Sequence, residues 1–355
     1  MILTRALDGR RVLRTRRGLQ IRLGNLAAAV TLAVATVVLA VVSLGIGAIA
    51  IRPNDLLAAV FGRALPDDQA FALWDVRLPR LLMGFMAGWC VAMTGAVLQS
   101  LARNPLADPG LFGLNQGSMV VIMLLLVFVP DAPRGLIPFA AVTGGLGVAV
   151  LLLWLVGGGR TSGLAILLMG IAIETVLSSV GSILILYTPR ETSYALSDWM
   201  AGSLFQASLT TTAIFAPWFL LSVPAAILIG RALRCYDLGA ETAMALGEPA
   251  TWTRPLLLVL SVLLSAAAVT AVGPLVFLGV IAPHLAGFLS PANGRARLIL
   301  AGLTGGLLVI AADALTRGIG GDMGLPIGLS LTMIGVPLFI LSLRLRALKT
   351  LRATT

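Results

Sequence analysis

Charged residues are scarce in this sequence: they make up 11% of the 355 residues, whereas 58% are hydrophobic. A soluble domain carries about 25% charged residues, because its surface must face water. The mean hydropathy is +1.00. These values exclude an ordinary soluble protein and indicate a chain whose surface mostly faces lipid.

Lysine, histidine and cysteine are almost absent, and each absence excludes a kind of chemistry. Lys349 is the only lysine and follows Leu348, so the chain has no Gly-Lys-Ser/Thr phosphate-binding loop and any ATPase must be another subunit. His284 is the only histidine, which excludes histidine clusters for metal binding and for catalytic triads. Cys90 and Cys235 are expected at different depths and therefore unpaired. The sequence predicts no enzyme, no bound metal and no cofactor.

Long apolar runs, in contrast, are abundant. A helix needs about 20 mainly apolar residues to span a bilayer. The spans are expected near residues 26–51, 79–101, 112–129, 135–156, 163–187, 208–231, 253–271, 275–289, 298–317 and 326–345. The eighth is short and follows Gly273-Pro274, so nine or eleven spans remain alternatives. The prediction is an all-α membrane domain at 26–346, between a basic tail at 1–25 and a second tail at 347–355.

The distribution of arginine predicts the orientation of these spans. The net charge is +10, and basic residues of membrane proteins concentrate in cytoplasmic segments. With ten spans, most of the 25 basic residues fall on the side of the N-terminus, including seven arginines between Met1 and Arg22. We therefore expect both termini in the cytoplasm. Nucleic-acid binding is not expected, because no basic patch is interleaved with exposed aromatic residues.

The second predicted span has a stripe of small residues at every fourth position: Gly84, Gly88, Ala92 and Ala96. Such a stripe lets two helix backbones approach closely. By itself it indicates packing rather than a transport path.

Two acidic residues within the spans have distinct interpretations. Glu174 lies near the middle of the fifth span. One interpretation is functional: the carboxyl is a proton or cation relay, or it lines a path. The other is structural: the carboxyl is hydrogen-bonded to neighbouring helices. The structural interpretation is favoured, because no second buried acid accompanies it. Asp313 and Arg317 lie one helical turn apart near the outer end of the ninth span, which predicts an i,i+4 ion pair.

Several motifs in fixed order resemble the FecCD family of permease subunits from binding-protein-dependent ABC importers. The resemblance covers about residues 26–346, and the combination is far more specific than any single motif. The motifs are Arg77-Leu78-Pro79-Arg80, Gly95 to Gln99, Asn104-Pro105-Leu106-Ala107-Asp108-Pro109-Gly110, Gly273-Pro274, Gly279 with Pro283-His284, Asp313 with Arg317, and Leu325-Pro326 with Gly328, Gly335 and Pro337.

The resemblance implies a fold, partners and a cargo. The fold would be the ten-span bundle of type II ABC importer permeases, with a pseudo-inverted repeat that has no convincing echo in the residues. The partners would be a second permease subunit (identical or paired), cytoplasmic ABC ATPase subunits and an extracytoplasmic substrate-binding protein, in the cytoplasmic (inner) membrane of a bacterium. The cargo would be a ferric siderophore, with haem or cobalamin as alternatives.

The resemblance also assigns roles to individual positions. Residues 236–248 match the loop that inserts into the ATPase. The alternative is that this polar, helix-prone stretch is a surface loop. The residues expected to couple to the ATPase are Leu238, Gly239, Ala243, Leu246 and Gly247. Arg77, Arg80 and Arg317 match positions that pair with acidic residues of the binding protein, the alternative being lipid headgroup anchoring. The expected neck and path of translocation contain Asn104, Leu106, Thr161, Ser162 and Glu174.

Three features depart from the family pattern. Glu174 stands in a usually apolar stretch, Gln116 replaces a small residue, and the arginine-rich N-terminal tail is longer than usual with no family role. A proton-coupled secondary transporter that uses Glu174, and a membrane scaffold without a path, remain the rival hypotheses.

Overall fold

The computed structural model describes residues 2–5, 11–14, 20–156, 163–187, 199–319 and 325–354. A small N-terminal sheet precedes a bundle of helices. The strands are β1 Ile2–Arg5, β2 Arg11–Arg14 and β3 Gln20–Arg22. The helices are α1 Leu23–Gly45, α2 Pro53–Val60, α3 Asp67–Phe71, α4 Leu78–Ala102, α5 Leu114–Phe128, α6 Ile137–Val156, α7 Gly163–Leu186, α8 Leu209–Tyr236, α9 Ala240–Ala245, α10 Ala250–Val272, α11 Leu278–Leu289, α12 Arg295–Ile319 and α13 Ile327–Thr354.

Eight helices in the described part of the chain are long and apolar enough to cross a membrane. This confirms the predicted all-α membrane fold. Two further apolar helices, α5 and α11, are shorter. A π-helical turn, Ala72–Arg77, joins α3 to α4, so that Asp67–Ala102 form one helical stretch of 36 residues.

Helix ends differ from the predicted spans where tertiary contacts decide them. The first span was expected to reach residue 51, but α1 ends at Gly45, and Gly47 has a φ of +148°. Ile51 instead packs with Ala72 and Leu73 in a small apolar cluster beside the bundle. At the other end of the chain, α13 continues to Thr354, beyond the predicted limit of 345.

The basic N-terminal segment contains a three-stranded antiparallel sheet, which the composition of this tail did not indicate. Thr4 pairs with Val12, and Leu13 pairs with Ile21. Val12 is 2% exposed, and strands β2 and β3 both contact α1. The sheet is therefore packed against the base of the first helix.

The two short helices begin inside the bundle. With 15 and 12 residues, α5 and α11 are about 22 and 18 Å long, less than the roughly 30 Å of a bilayer core. Each follows a residue in the left-handed region, Gly113 (φ +72°) and Phe277 (φ +62°). In the irregular backbone before α11, Leu275 is 2% exposed and packs into the bundle, whereas Val276 and Phe277 are each 48% exposed. Non-helical backbone at membrane depth is stable where it is buried in protein or lines a water-filled cavity.

Helix contacts repeat between two halves of the bundle. Helix α4 packs on α12 as α10 packs on α6, and α5 contacts α6 and α7 as α11 contacts α12 and α13. Likewise α4 packs on α11 as α10 packs on α5. Helices α4–α7 thus correspond to α10–α13 in their contacts. The expected repeat is evident in the packing although the residues do not reveal it.

The small-residue stripe of α4 packs closely against α12. A Cβ atom on Gly88 would fall 2.5 Å from the carbonyl oxygen of Gly305 in α12, and one on Gly95, which lies next to the stripe residue Ala96, would fall 2.1 Å from that of Gly279 in α11. The packing interpretation of the stripe is confirmed, because no larger side chain fits at either contact.

Candidate functional site

A buried carboxylate organises the end of the bundle where α1 terminates. Asp313 is 1% exposed. Its Oδ1 atom accepts hydrogen bonds from Nε (3.1 Å) and Nη2 (2.9 Å) of Arg80, and its Oδ2 atom accepts one from Nε of Arg317 at 2.9 Å. The predicted Asp313–Arg317 ion pair is confirmed. Arg80, Asp313 and Arg317 together with Arg77 are called the Asp313 cluster below.

The arginines of this cluster also cap the end of α1. Arg77 donates from Nη1 to the carbonyl oxygen of Leu44 at 2.7 Å and from Nη2 to that of Ile49. Arg317 donates from Nη1 to the carbonyl oxygen of Ile46 at 2.8 Å. The last carbonyls of a helix lack partners within it, and basic side chains supply them. These inward contacts account for the arginines without any partner protein.

A second polar network lies at the opposite end of the bundle, and sequence reasoning missed it. Arg297 on α12 donates from Nη1 to the Ser100 hydroxyl and the Asp237 carboxylate, both at 3.0 Å, and from Nη2 to Oε1 of Gln99 at 2.9 Å. The Gln99 amide donates to the carbonyl oxygen of Gly279 at 3.0 Å. This Arg297 cluster links α4, α11 and α12 to the start of the 236–248 segment. Gln99 and Arg297 lie 198 positions apart, so local spacing gave no signal.

The 236–248 segment is anchored at its start and in its middle. Tyr236 is 3% exposed, and its hydroxyl lies 2.9 Å from that of Thr253 at the start of α10. Ala243, within the short helix α9, is fully buried. Gly239 has a φ of +110°, and a Cβ atom there would fall 3.1 Å from Nη1 of Arg103. The segment is therefore a fixed projection of the bundle.

Apolar side chains cover the outer surface of this projection. Leu238 and Leu246 are 58% and 59% exposed, and Met244 is 42% exposed. Gly247 (φ +82°) ends the turn, with open space where a Cβ would lie. Exposed apolar side chains of this kind at a polar end of a membrane protein fit a protein contact.

The motif between α4 and α5 forms a turn at the same end of the bundle as the Arg297 cluster. The Leu106 amide donates to Oδ1 of Asn104 at 2.9 Å, and the Leu106 side chain is 51% exposed. Asp108 is 5% exposed, and its Oδ1 accepts a hydrogen bond from the Gly110 amide at 2.8 Å. Burial raises the pKa of Asp108 to about 6, because desolvation disfavours the charged form more than this hydrogen bond favours it. The turn thus contains an exposed leucine above a buried carboxyl.

Another predicted path residue, Glu174, lies outside this turn. Glu174 on α7 is half-buried and accepts a hydrogen bond from the Ser178 hydroxyl at 2.8 Å. The bond comes from its own helix, not from a neighbouring one as expected. Gly113 packs against the Glu174 backbone, which places this carboxyl near the start of α5. Thr161 and Ser162 lie outside the described residues.

One buried polar contact within the bundle was also missed. The Ser265 hydroxyl on α10 donates to Oδ1 of Asn115 on α5 at 2.6 Å, and both residues are at most 5% exposed. Polar residues in otherwise apolar helices are the signal that could have indicated this pair.

The helices, their inverted repeat and the two polar ends define a multi-pass permease bundle. Residues 35–345 match the model of the FecCD transport family, and the chain belongs to this family.

Relatives and a solved structure agree with this assignment. The chain is 33% identical to the Fe(3+)-citrate import system permease protein YfmE of Bacillus subtilis over 91% of this chain and 96% of that protein. It is 33% identical to the ferric enterobactin transport system permease protein FepG of Escherichia coli, over 85% and 90%. A metal-chelate type ABC transporter in an inward-facing conformation has a TM-score of 0.78 at 26% identity, covering 89% of this chain and 98% of that chain. The protein is thus an ABC transporter permease subunit.

Proposed function

We propose that this chain is the permease subunit of an ATP-driven importer that moves a ferric siderophore across the cytoplasmic membrane of a bacterium. The observation that carries the proposal is membership of the FecCD family over residues 35–345. Relatives named for ferric citrate, achromobactin and ferric enterobactin support iron chelates as the cargo. A hemin transport system permease protein of Yersinia pestis, 32% identical over 77% of this chain, keeps haem as the second candidate.

The proposed orientation places both termini and the 236–248 segment in the cytoplasm. There the exposed Leu238, Met244 and Leu246 would insert into a groove of the ABC ATPase, with Ala243 as the buried anchor. Gly239 and Gly247 would set the two turns that hold α9 between them. The apolar contact and the fixed turns together allow the ATPase to move this segment as a rigid body.

The Arg297 cluster supports a route for that movement into the bundle. Asp237 begins the 236–248 segment and bonds to Arg297, which also holds Gln99 and Ser100 near the end of α4. Gln99 in turn bonds to Gly279 in the first turn of the short helix α11. A displacement of the segment would therefore pull on both α4 and α11. Two permease subunits rocking in this way would open a central path, with Asn104, Leu106, Thr161, Ser162 and Glu174 near it.

The extracytoplasmic binding protein would dock at the end that contains the Asp313 cluster. Arg80 and Arg317 keep 13% and 10% of their side chains exposed, whereas Arg77 is 4% exposed. Arg80 would offer its remaining donors to carboxylates of the binding protein. Arg317 would contribute its charge, because its donors already reach Asp313 and the end of α1, and Arg77 would hold the surface in shape. Charge reversal at Arg80 should weaken docking by an amount that shrinks in high salt. Reversal at the exposed Arg63 is the control; equal effects would favour headgroup anchoring.

Two experiments test the proposal. Purification of the complex from its native membrane should recover an ABC ATPase, a binding protein and a second permease subunit together; recovery of this chain without an ATPase would refute the assignment.

Uptake assays with labelled ferric siderophore, haem and cobalamin should then show transport of the ferric siderophore. Transport of haem or cobalamin without siderophore would overturn the cargo.

The rival hypothesis, proton-coupled transport through Glu174, makes the opposite predictions. It requires uptake without any ATPase and loss of uptake in Glu174→Gln. Under the proposed function, Glu174→Gln retains ATP-dependent uptake, because the Ser178 hydroxyl can still donate to the amide oxygen.

A further inference from the structure

Polar side chains are concentrated in the middle of α7. Five of them lie within nine residues and are called the α7 acceptor surface below: Glu174, Thr175, Ser178, Ser179 and Ser182. Thr175, Ser179 and Ser182 are exposed, whereas Glu174 and Ser178 are half-buried. An ionisable residue at membrane depth almost always faces the interior of the bundle or a water-filled cavity. The partial exposure of Glu174 therefore favours a surface that meets water rather than lipid.

The hydroxyl groups of this surface use their protons within α7. Three of them donate to a carbonyl oxygen one turn back in the helix at 2.8–2.9 Å, namely those of Thr175, Ser179 and Ser182. The fourth hydroxyl, of Ser178, donates to Oε1 of Glu174 at 2.8 Å. A hydroxyl group has one donor and two acceptor lone pairs. The surface therefore offers another molecule acceptors: four hydroxyl oxygens and the carboxyl oxygens.

Gln116 adds a further acceptor next to this surface. A Cβ atom on Gly113 of α5 would fall 3.2 Å from the backbone nitrogen of Glu174, and Gln116 follows Gly113 by one helical turn. The chain neighbours of Gln116 face α10 and α6 instead. Its Oε1 atom is buried and accepts no hydrogen bond from the part of the chain that the structure describes. The two departures from the family pattern, Glu174 and Gln116, thus lie close together.

The charge of this region is equally one-sided. Glu174 is the single charged residue of α5 and α7. A protonated amine carries three donors and no acceptor, so it complements a surface of acceptors with one carboxyl group. An anion finds neither a cation nor a free hydroxyl proton there. The adjoining side of α7 is apolar, with Val176 and Ile183 at 63% and 55% exposure, so the acceptors form a narrow strip.

We propose that the α7 acceptor surface and Gln116 form a selectivity site in the translocation path, which takes a protonated amino group of the ferric chelate. The inference rests on the proposed import function, because it concerns the cargo. It narrows the cargo to a ferric siderophore with a free amino group rather than one with free carboxylates. Glu174 and Gln116 then share one role.

The reaction rates of an introduced thiol test this surface without any cargo. The permease is purified with its bound subunits into lipid nanodiscs and carries Ser179→Cys in a Cys235→Ser background; Cys90 is fully buried and stays. A positively charged methanethiosulfonate should react at least tenfold faster than a negatively charged one, each rate being divided by that with a free thiol. Adding Glu174→Gln should lower this ratio at least threefold. The matched control Val176→Cys should react at least tenfold more slowly than Ser179→Cys with both reagents.

Three results of the thiol experiment would overturn the proposal. Equal rates with the two reagents would show that the surface has no preference for cations. A ratio unchanged by Glu174→Gln would assign the preference to another group. Absence of reaction at Ser179→Cys would place the surface against lipid or the second permease subunit.

Uptake of a matched pair of chelates tests the same site on cargo. The pair is a ferric trihydroxamate with one primary amine and its N-acetylated form, each at saturating concentration of the binding protein. The amine form should enter at least fivefold faster, and Glu174→Gln should bring the two rates within twofold. An unchanged rate for the N-acetylated form would exclude misfolding of the variant. The control Asp131→Asn, at an exposed carboxyl between α5 and α6, should leave the ratio unchanged.

The two experiments separate the selectivity site from the proposed function. Equal uptake of the two chelates by the unmodified importer would overturn the selectivity site and leave ATP-driven import intact. Absence of ATP-dependent uptake of either chelate would count against the proposed function, and the thiol reaction rates would still decide whether the surface favours cations.

Discussion

Arginines bind carboxylates at both ends of this bundle, but the two clusters are built differently. In the Asp313 cluster, one carboxylate with 1% exposure is shared by two arginines, and the remaining donors reach backbone carbonyls at the end of α1. In the Arg297 cluster, the arginine and Asp237 are each about a quarter exposed and share one bond. Arg297 reaches its other partners, Ser100 and Gln99, through bonds to neutral groups.

This difference separates a cluster that holds helices from one that can transmit movement. A buried carboxylate that serves two arginines leaves two uncompensated charges when it is removed, which is strongly destabilising. Removing Asp237 leaves Arg297 with two hydrogen-bond acceptors and partial access to water. We infer that the Asp313 cluster fixes the end of α1 against α4 and α12, whereas the Arg297 cluster transmits displacement at modest cost in stability.

The largest expected effect is on the stability of the Asp313 cluster. Asp313→Asn should destabilise the folded chain by about 3 kcal/mol or more, because Arg80 and Arg317 lose their shared counter-charge. Thermal unfolding in detergent measures the change. Asp75→Asn, at an exposed carboxyl near the same end, should change stability by less than about 0.5 kcal/mol. Similar melting temperatures for the two variants would contradict the holding role.

The next effect concerns the two glycines of the 236–248 segment. Gly239→Val should lower uptake more than tenfold, because its backbone has a φ of +110° and a side chain would press on Arg103. Gly247→Asn should be tolerated, since asparagine adopts left-handed conformations and no atom lies within 4 Å of the added Cβ. Uptake and ATPase binding by both variants check this order. An equal loss of uptake in Gly239→Val and Gly247→Asn would contradict the assignment of a tighter steric requirement to Gly239 than to Gly247.

A double-mutant cycle tests whether the Arg297 cluster transmits displacement or, like the Asp313 cluster, holds the helices together. Arg297→Gln and Asp237→Asn should each lower the amount of cargo moved per ATP hydrolysed about fivefold, and the double variant should do little more, since both remove the same link. Both variants should stay folded. The exposed Arg231→Gln is the matched loss of charge on α8 and should leave the ratio unchanged. Additive losses, or a fall in melting temperature as large as that of Asp313→Asn, would contradict a transmitting role.

The last expected effect is a pH dependence at Asp108. Its pKa is raised from 3.8 to about 6 in the folded chain, so the folded state prefers the protonated carboxyl. The stabilisation is present below pH 3.8 and is lost as the pH rises to about 6. Melting temperatures measured across this window should fall with rising pH, and Asp108→Asn should flatten that part of the profile. An unchanged slope in the variant would assign the dependence to another group.

Local patterns predicted part of this structure. Apolar runs located the long helices, and the i,i+4 spacing gave the Asp313–Arg317 pair. The bond from Arg80 to Asp313 joins residues 233 positions apart, and that from Gln99 to Arg297 joins residues almost as distant, so neither follows from spacing. The inward direction of Arg77 depends on where α1 ends, because Arg77 bonds to the carbonyl oxygens of Leu44 and Ile49, and that end was predicted six residues too late. The N-terminal sheet was missed because its strands are short and rich in arginine.

The central claim is that the bundle transports a ferric siderophore with energy from ATP hydrolysed by a separate subunit. The direct measurement is uptake of labelled ferric siderophore into proteoliposomes that contain this permease, its ATPase and its binding protein. With ATP supplied on the ATPase side, we predict accumulation of the siderophore that stops when ATP is replaced by a non-hydrolysable analogue. Accumulation at the same rate with the analogue, or without the ATPase, would contradict the account.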